Sequence, residues 1–158
     1  ACTGIAVALY PVLRQKQEGM ALGAVIFRGI EGVLHILIGV AYLGMLETAR
    51  QGDASLTPLM DIFNGVIEAV ALCGALGWGI GAILCYLVFY RHRLVPGWLA
   101  LWGLFALVFS LFASVYGYFV GFGANSVLNA LLNIPIALQE LVLAVWLIIR
   151  GVQWSKKE

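Results

Sequence analysis

Leu94–Gln139 reads LVPGWLALWGLFALVFSLFASVYGYFVGFGANSVLNALLNIPIALQ, 46 residues without one Asp, Glu, Lys or Arg. A helix needs about 20 apolar residues to cross a bilayer. The run therefore holds one complete span, a turn and part of another. Its turn-like cluster is Gly121-Phe122-Gly123-Ala124-Asn125-Ser126. Upstream, Ala69–Tyr90 is uncharged over 22 residues, enough for a further span.

The whole chain agrees. Its 158 residues are 63% hydrophobic and 11% charged, with a mean hydropathy of +1.00. Soluble domains average about 45–50% apolar and about 25% charged. A disordered chain is excluded, and there is too little polar surface to clothe a soluble core of this size. A net charge of +1 offers no concentrated basic patch, so nucleic acid is not an expected partner. Cys73 and Cys85 lie about 18 Å apart if they share a helix and cannot pair. Cys2 completes the set, and no CxxC is present.

The spacing predicts an all-α, polytopic transmembrane helix bundle forming one domain over residues 1–158. Its segments are 1–13, 20–46, 62–90, 98–120 and 127–149. The last four are full spans. The first is partial, about 20 Å of helix. The chain begins inside an apolar run without Met, so segment 1–13 is read as a remnant of something longer. Charge sets the orientation. Arg14, Lys16, Arg91, Arg93, Arg150, Lys156 and Lys157 fall on one side, and only Arg50 lies on the other, beside Glu47, Asp53 and Asp61. That bias places the C-terminus in the cytoplasm. Tyr90, Trp98 and Trp102 stand at the same boundary, as an aromatic belt does.

The informative residues are polar ones at membrane depth, where a charge costs about 2.5–3.5 kcal/mol on the insertion scale. At about 100° per residue, Arg28, Glu31 and His35 fall within an arc of about 60°. Leu22, Ile26, Ile30, Val33, Leu37 and Val40 occupy the opposite face. Asn64 and Glu68 share a face with Ala71, Ala75, Gly79 and Ala82. Asn129, Asn133 and Glu140 share a face of the last segment, with Gln139 about a quarter-turn away. Segment 98–120 has no charge but carries a small-residue stripe of Gly103, Ala106, Ser110, Ser114, Gly117 and Gly121. These faces are unsuited to lipid and must converge.

Depth refines the pairing. Counted at about 1.5 Å per residue, Arg28 lies about 12 Å and Glu140 about 14 Å from the cytoplasmic ends. His35 and Asn133 lie about 22 and 24 Å deep. Arg28 is expected to contact Glu140, with Glu31 bracing the guanidinium, because its planar fork serves two carboxylates. Glu68 lies nearer the external side, either protonated, hydrated or bonded to Asn64 and its loop. Pro135 is expected to kink the last segment and free the carbonyl of Leu131. Gly77–Gly81 and Gly117–Gly121 are GxxxG pairs that permit close helix contact.

Arg28, Glu31, His35, Asn64, Glu68, Asn133, Gln139 and Glu140 thus form either buried glue or the wall of a ligand cavity. For the cavity, Glu31, His35, Glu68, Asn133 and Glu140 are expected around a void of at least about 300 Å³. GxSxG, HExxH, Walker A and GxGxxG are all missing. No catalytic residue, metal ligand set or cofactor is assigned.

Three stretches carry a resemblance: Phe27-Arg28 with Glu31, Tyr90-Arg91-His92-Arg93-Leu94-Val95-Pro96, and the run from Pro135 through Glu140 and Trp146-Leu147 to Arg150-Gly151. They resemble a prokaryotic membrane-protein family catalogued as domain of unknown function four-three-eight-six. Its members look like six-helix proteins longer than this chain. The resemblance covers nearly all of the sequence, short of the family's first helix and part of its second. His92 and Gly97 replace the family's usual Ser and Arg around the loop proline, which argues against a strict catalytic need there. The resemblance implies the topology and a prokaryotic cytoplasmic membrane, and it brings no activity. The ranked expectation is a structural or accessory membrane protein or a subunit of a larger membrane assembly, then a binder or transporter of a small or lipidic ligand through a polar intramembrane cavity, then a membrane-embedded enzyme. The expected partners are the lipid bilayer and other membrane protein chains.

Overall fold

The computed structural model describes residues 2–121 and 126–152. Four helices account for nearly all of them, each long and apolar enough to cross a membrane: α1 (Cys2–Arg50), α2 (Thr57–Arg91), α3 (Gly97–Val120) and α4 (Val127–Arg150). A 3-10 turn at Ala54–Leu56 joins α1 to α2. No strand occurs among the described residues.

The partial first segment is a helical arm folded back on the second. Within α1 only Gln17 leaves the helical region, with φ −151° and ψ 92°. The Thr3 hydroxyl donates to the carbonyl of Arg28 at 2.9 Å. In a straight helix those residues would stand roughly 37 Å apart. Residues 2–16 and 18–50 therefore form a hairpin. The expected connector over residues 14–19 shrinks to one residue, because extended geometry at a single position reverses the chain while sparing the helical hydrogen bonds on either side.

Residues 18–50 and α2 are each about 50 Å long, whereas α3 and α4 are about 36 Å. The hydrocarbon core is about 30 Å thick. The surplus carries Glu47, Arg50 and Asp61 beyond it on continuous helix, which is why the charge-based boundaries at 46 and 62 fall inside the observed elements. Arg50 and Glu47 pair there at 3.6 Å. In the turn, the Ser55 N–H donates to the Asp53 carboxylate at 2.9 Å. That bond, with the Ser55 hydroxyl, holds the Asp53 carboxyl below the usual carboxylate range.

Packing follows chain order, α1 on α2, α2 on α3 and α3 on α4. Lipid tails are as apolar as leucine, so these contacts depend on close fit between small residues. Gly77 and Gly81 supply it between α1 and α2: a Cβ at Gly81 would lie 3.3 Å from the Ala24 carbonyl oxygen, and one at Gly77 3.5 Å from that of Phe27. Gly103, Ala106, Ser110 and Gly117 form the buried stripe of α3. On α1, Leu22, Ile26, Ile30, Val33, Leu37 and Val40 all point outward, as the sequence predicts. At the end bearing Arg14, Arg91 and Arg150, a common core joins Leu13, Phe89, Leu94 and Val95 to Trp146 and Val152. Trp98 and Trp102 stack at that end with centroids 6.4 Å apart.

α3 ends at Gly121 in the left-handed region (φ 81°), where its N–H caps the Gly117 carbonyl. The predicted turn follows, and its residues 122–125 lie outside the described residues, as do Lys156 and Lys157. α4 starts on Ser126, whose hydroxyl accepts from the Asn129 N–H at 3.1 Å. It continues as one helix through Pro135. α4 lies on α3, and α1 reaches it chiefly by side chains. The space between α1, α2 and α4 is left for cavities.

Candidate functional site: a polar chamber at membrane depth

Arg28 is the centre of the site. Gly81 gives its stem room on α2, since a Cβ there would lie 3.2 Å from the Arg28 Cγ. The guanidinium carbon stands 5.9 Å from the centroid of Trp78. Glu31, one helical turn along, pairs with it at 3.2 Å. Glu140 reaches it from α4 at 4.0 Å. The sequence expectation ranked these partners the other way round. Helix geometry explains the reversal: an i,i+3 neighbour is held within reach by its own backbone, whereas Glu140 must cross the gap between two helices that do not pack closely. The exposures record the difference. The Glu31 side chain is 5% exposed and that of Glu140 46%.

The Glu31 carbonyl has a further partner in the His35 ring, 2.9 Å from Nδ1. A carbonyl accepts, so Nδ1 carries a proton in this contact. Asn133 is fixed from two sides: its Oδ1 accepts from the Ser110 hydroxyl, and its Nδ2 donates to the Asn129 carbonyl at 2.8 Å.

These groups border a broadly open chamber of about 330 Å³. Its polar lining is Glu31, His35, Ser110, Ser114, Asn133 and Glu140, with Trp78 beside them. Four of the five residues expected around a void are present. The fifth, Glu68, lines an adjoining pocket of about 130 Å³ with Ser114, Tyr118 and Asn129. The two spaces share Ala71, Ala75 and Ser114 as a common wall. A third space of about 170 Å³ lies on the other side of the Arg28 level. It is mainly apolar, lined by Ile5, Leu9, Phe89, Leu143 and Leu147, with Arg28 and Glu140 at its polar border. Glu140 is thus shared by the polar chamber and the apolar groove.

Two expected members lie elsewhere. Asn64 is exposed on α2 and lines none of these three spaces. Gln139 is fully buried and ties three helices together: its Oε1 accepts from the Tyr86 hydroxyl at 2.6 Å, and its Nε2 donates to the Leu99 carbonyl at 3.1 Å. Its position a quarter-turn from Glu140 points it into the α2–α3 contact. Trp78, Tyr86 and Thr3 were missed by sequence reasoning. Ser110 and Ser114 were visible only as members of a small-residue stripe. Among the described residues, no group of three or more His, Cys, Asp or Glu is arranged to hold a metal ion.

The fold and chamber define a class: an all-helical membrane bundle with ionisable side chains around a space at membrane depth. The chain belongs to the family DUF4386, a domain of unknown function, whose model matches residues 1–151. No curated protein and no solved structure matches it.

Proposed function

We propose that this protein binds a small, membrane-partitioning ligand in the chamber that α1, α2 and α4 enclose with Ser110 and Ser114 of α3. The observation that carries this reading is a space of about 330 Å³ walled by Glu31, His35, Asn133 and Glu140. That volume lies within the range of about 300–1,000 Å³ usual for ligand sites. A core needed only for register gains nothing from leaving such groups around a void. The gap between α1 and α4 gives a route from the bilayer. On the same reading the end bearing Arg14, Arg91 and Arg150 faces the cytoplasm of a prokaryotic cell.

Native mass spectrometry of protein extracted from membranes tests the proposal. Wild type should retain a small-molecule adduct, and Ala75→Phe and Ala137→Phe, which fill the chamber, should lose it while keeping wild-type helicity. Identical adducts, or none, in all three proteins overturn the reading.

A structural or accessory role within a larger membrane assembly is the second reading. It is favoured by the closed Arg28–Glu31 pair and the Tyr86–Gln139 bond, which lock helices without enclosing a guest.

A further inference from the structure

The charges around the chamber do not balance. One guanidinium, Arg28, faces two carboxylates, Glu31 and Glu140. Glu31 is committed to the arginine, close and buried. Glu140 is farther away and nearly half exposed, accepting from the Trp78 indole N–H on the border between the polar chamber and the apolar groove, with no cation of its own. An ionised carboxylate at membrane depth must take a proton or a cation. From α1, Arg28, Glu31 and His35 face this region, and from α2, Cys85 and Tyr86 line the groove that Glu140 borders. α3 contributes Ser110 and Ser114, which do not titrate. Glu68 adds a further carboxylate in the adjoining pocket. Beyond Arg28 and the His35 ring, no basic side chain lines these walls among the described residues.

We infer that the ligand is an amphiphilic organic monocation that occupies the chamber with its charge against Glu140 and reaches past that carboxylate into the groove of Leu9, Phe89, Leu143 and Leu147 with its apolar groups. The inference rests on the cavity reading and names its substrate class. With the Arg28 charge met by Glu31, charge balance at membrane depth assigns Glu140 a proton until a cation arrives. As the cation arrives, the carboxyl O–H bond breaks, the proton leaves to bulk water, and the carboxylate pairs with the ligand. One charge enters for each that departs, so the net charge at membrane depth is unchanged. The apolar groove fits this class because it borders the same carboxylate. An inorganic cation would leave that surface uncovered. The Arg28–Glu31 pair keeps the chamber's remaining charge neutral and stays in place throughout.

The probes are tetraphenylphosphonium and tetraphenylborate, which are nearly identical in shape and opposite in charge. Binding to the full chain in detergent micelles is measured by calorimetry between pH 5.5 and 8.5, in buffers of differing ionisation enthalpy. Tetraphenylphosphonium should bind more tightly as pH rises and release about one proton per ion bound, and tetraphenylborate should not bind. Glu140→Gln should weaken the cation's affinity by roughly 30-fold or more and remove its pH dependence. Glu140→Asp should keep that dependence, and Glu47→Gln, remote from the site, should match wild type. Circular dichroism checks that each variant is folded. Equal binding of the two probes, or an unaltered Glu140→Gln, overturns the cation assignment and leaves the cavity reading standing. No binding of the cation at any pH also overturns the assignment. If Ala75→Phe and Ala137→Phe bind tetraphenylphosphonium as wild type does, the probe lies outside the chamber and the cavity reading falls with the inference.

Discussion

Removing the Tyr86 hydroxyl tests whether one buried polar node locks α2, α3 and α4. In Tyr86→Phe the Gln139 Oε1, which accepts at 2.6 Å, keeps its buried position and loses its donor. An acceptor stranded in a protein interior costs about 1–3 kcal/mol. Hydrogen bonds between membrane helices average about 0.6 and reach about 1.7 kcal/mol. Gln139 is completely buried, so the upper part of the membrane range applies, about 1–2 kcal/mol. Gln139→Leu should cost a similar amount, since it strands the tyrosine hydroxyl and takes a donor from the Leu99 carbonyl. The double variant leaves neither group facing a missing partner, so its cost should fall short of the sum by about 1 kcal/mol. Reversible unfolding in mixed detergent–dodecyl sulfate micelles, followed by far-ultraviolet circular dichroism, measures all corners of the cycle. A coupling within about 0.3 kcal/mol of zero would refute the node, because independent sites add to about that precision.

Other perturbations follow from the same geometry. Gly103→Ala should destabilise by about 1–3 kcal/mol in the same unfolding assay, because it forces a methyl group to within 2.6 Å of the Tyr86 ring and 2.9 Å of the Gln139 Nε2. Arg28→Ala should cost about 3–5 kcal/mol by stranding the buried Glu31 carboxylate, and Glu31→Gln should cost more than Glu140→Gln; the reverse order in that assay would reassign the arginine's partner. Cysteines placed at Arg93 and Asp53 should label from opposite sides of the membrane, Asp53 from outside, and labelling from one side alone would sink the topology. The Asp53 carboxyl titrates below its unfolded value, so its hold on the Ser55 N–H is present at neutral pH and lost as pH falls through the folded pKa; hydrogen exchange at residues 55–57 should therefore accelerate on acidification in wild type and less in Asp53→Ala.

The helices and their lipid faces were legible because the membrane imposes one rule on every residue. Leu22, Ile26, Ile30, Val33, Leu37 and Val40 repeat at helical spacing with no polar interruption, and all are exposed. The hairpin at Gln17 was not legible as a single-residue reversal. Arg14 and Lys16 marked a connector, but nothing in the charge pattern told a loop from one extended residue. The site was half legible. Periodicity grouped Arg28, Glu31 and His35, and depth brought Glu140 and Asn133 level with them. Neither said which carboxylate would close on the arginine, since that depends on how near α4 stands to α1.

That separation is also what joins the fold to the proposed chemistry. Had α4 packed on α1 as α2 does, Glu140 would have closed on Arg28 beside Glu31, and the cluster would be a sealed network with a register role. Packing in chain order instead leaves α4 anchored through Gln139 to Tyr86 and Leu99, and through Asn133 to Ser110. These anchors run to α2 and α3 and none to α1. They hold the helix in place without drawing it toward α1. Successive positions on α4 therefore divide two tasks. Gln139 fixes the helix in the core, and Glu140, about 100° further round, faces the space that this fixing keeps open. Strengthening the anchors should not close the chamber, and loosening them should let α4 collapse onto α1. The Tyr86→Phe variant accordingly carries a second expectation. Its Glu140 should lose exposure, read as slower carbodiimide modification of that carboxyl than in wild type. Faster or unchanged modification would mean that the Gln139 anchor does not set the gap.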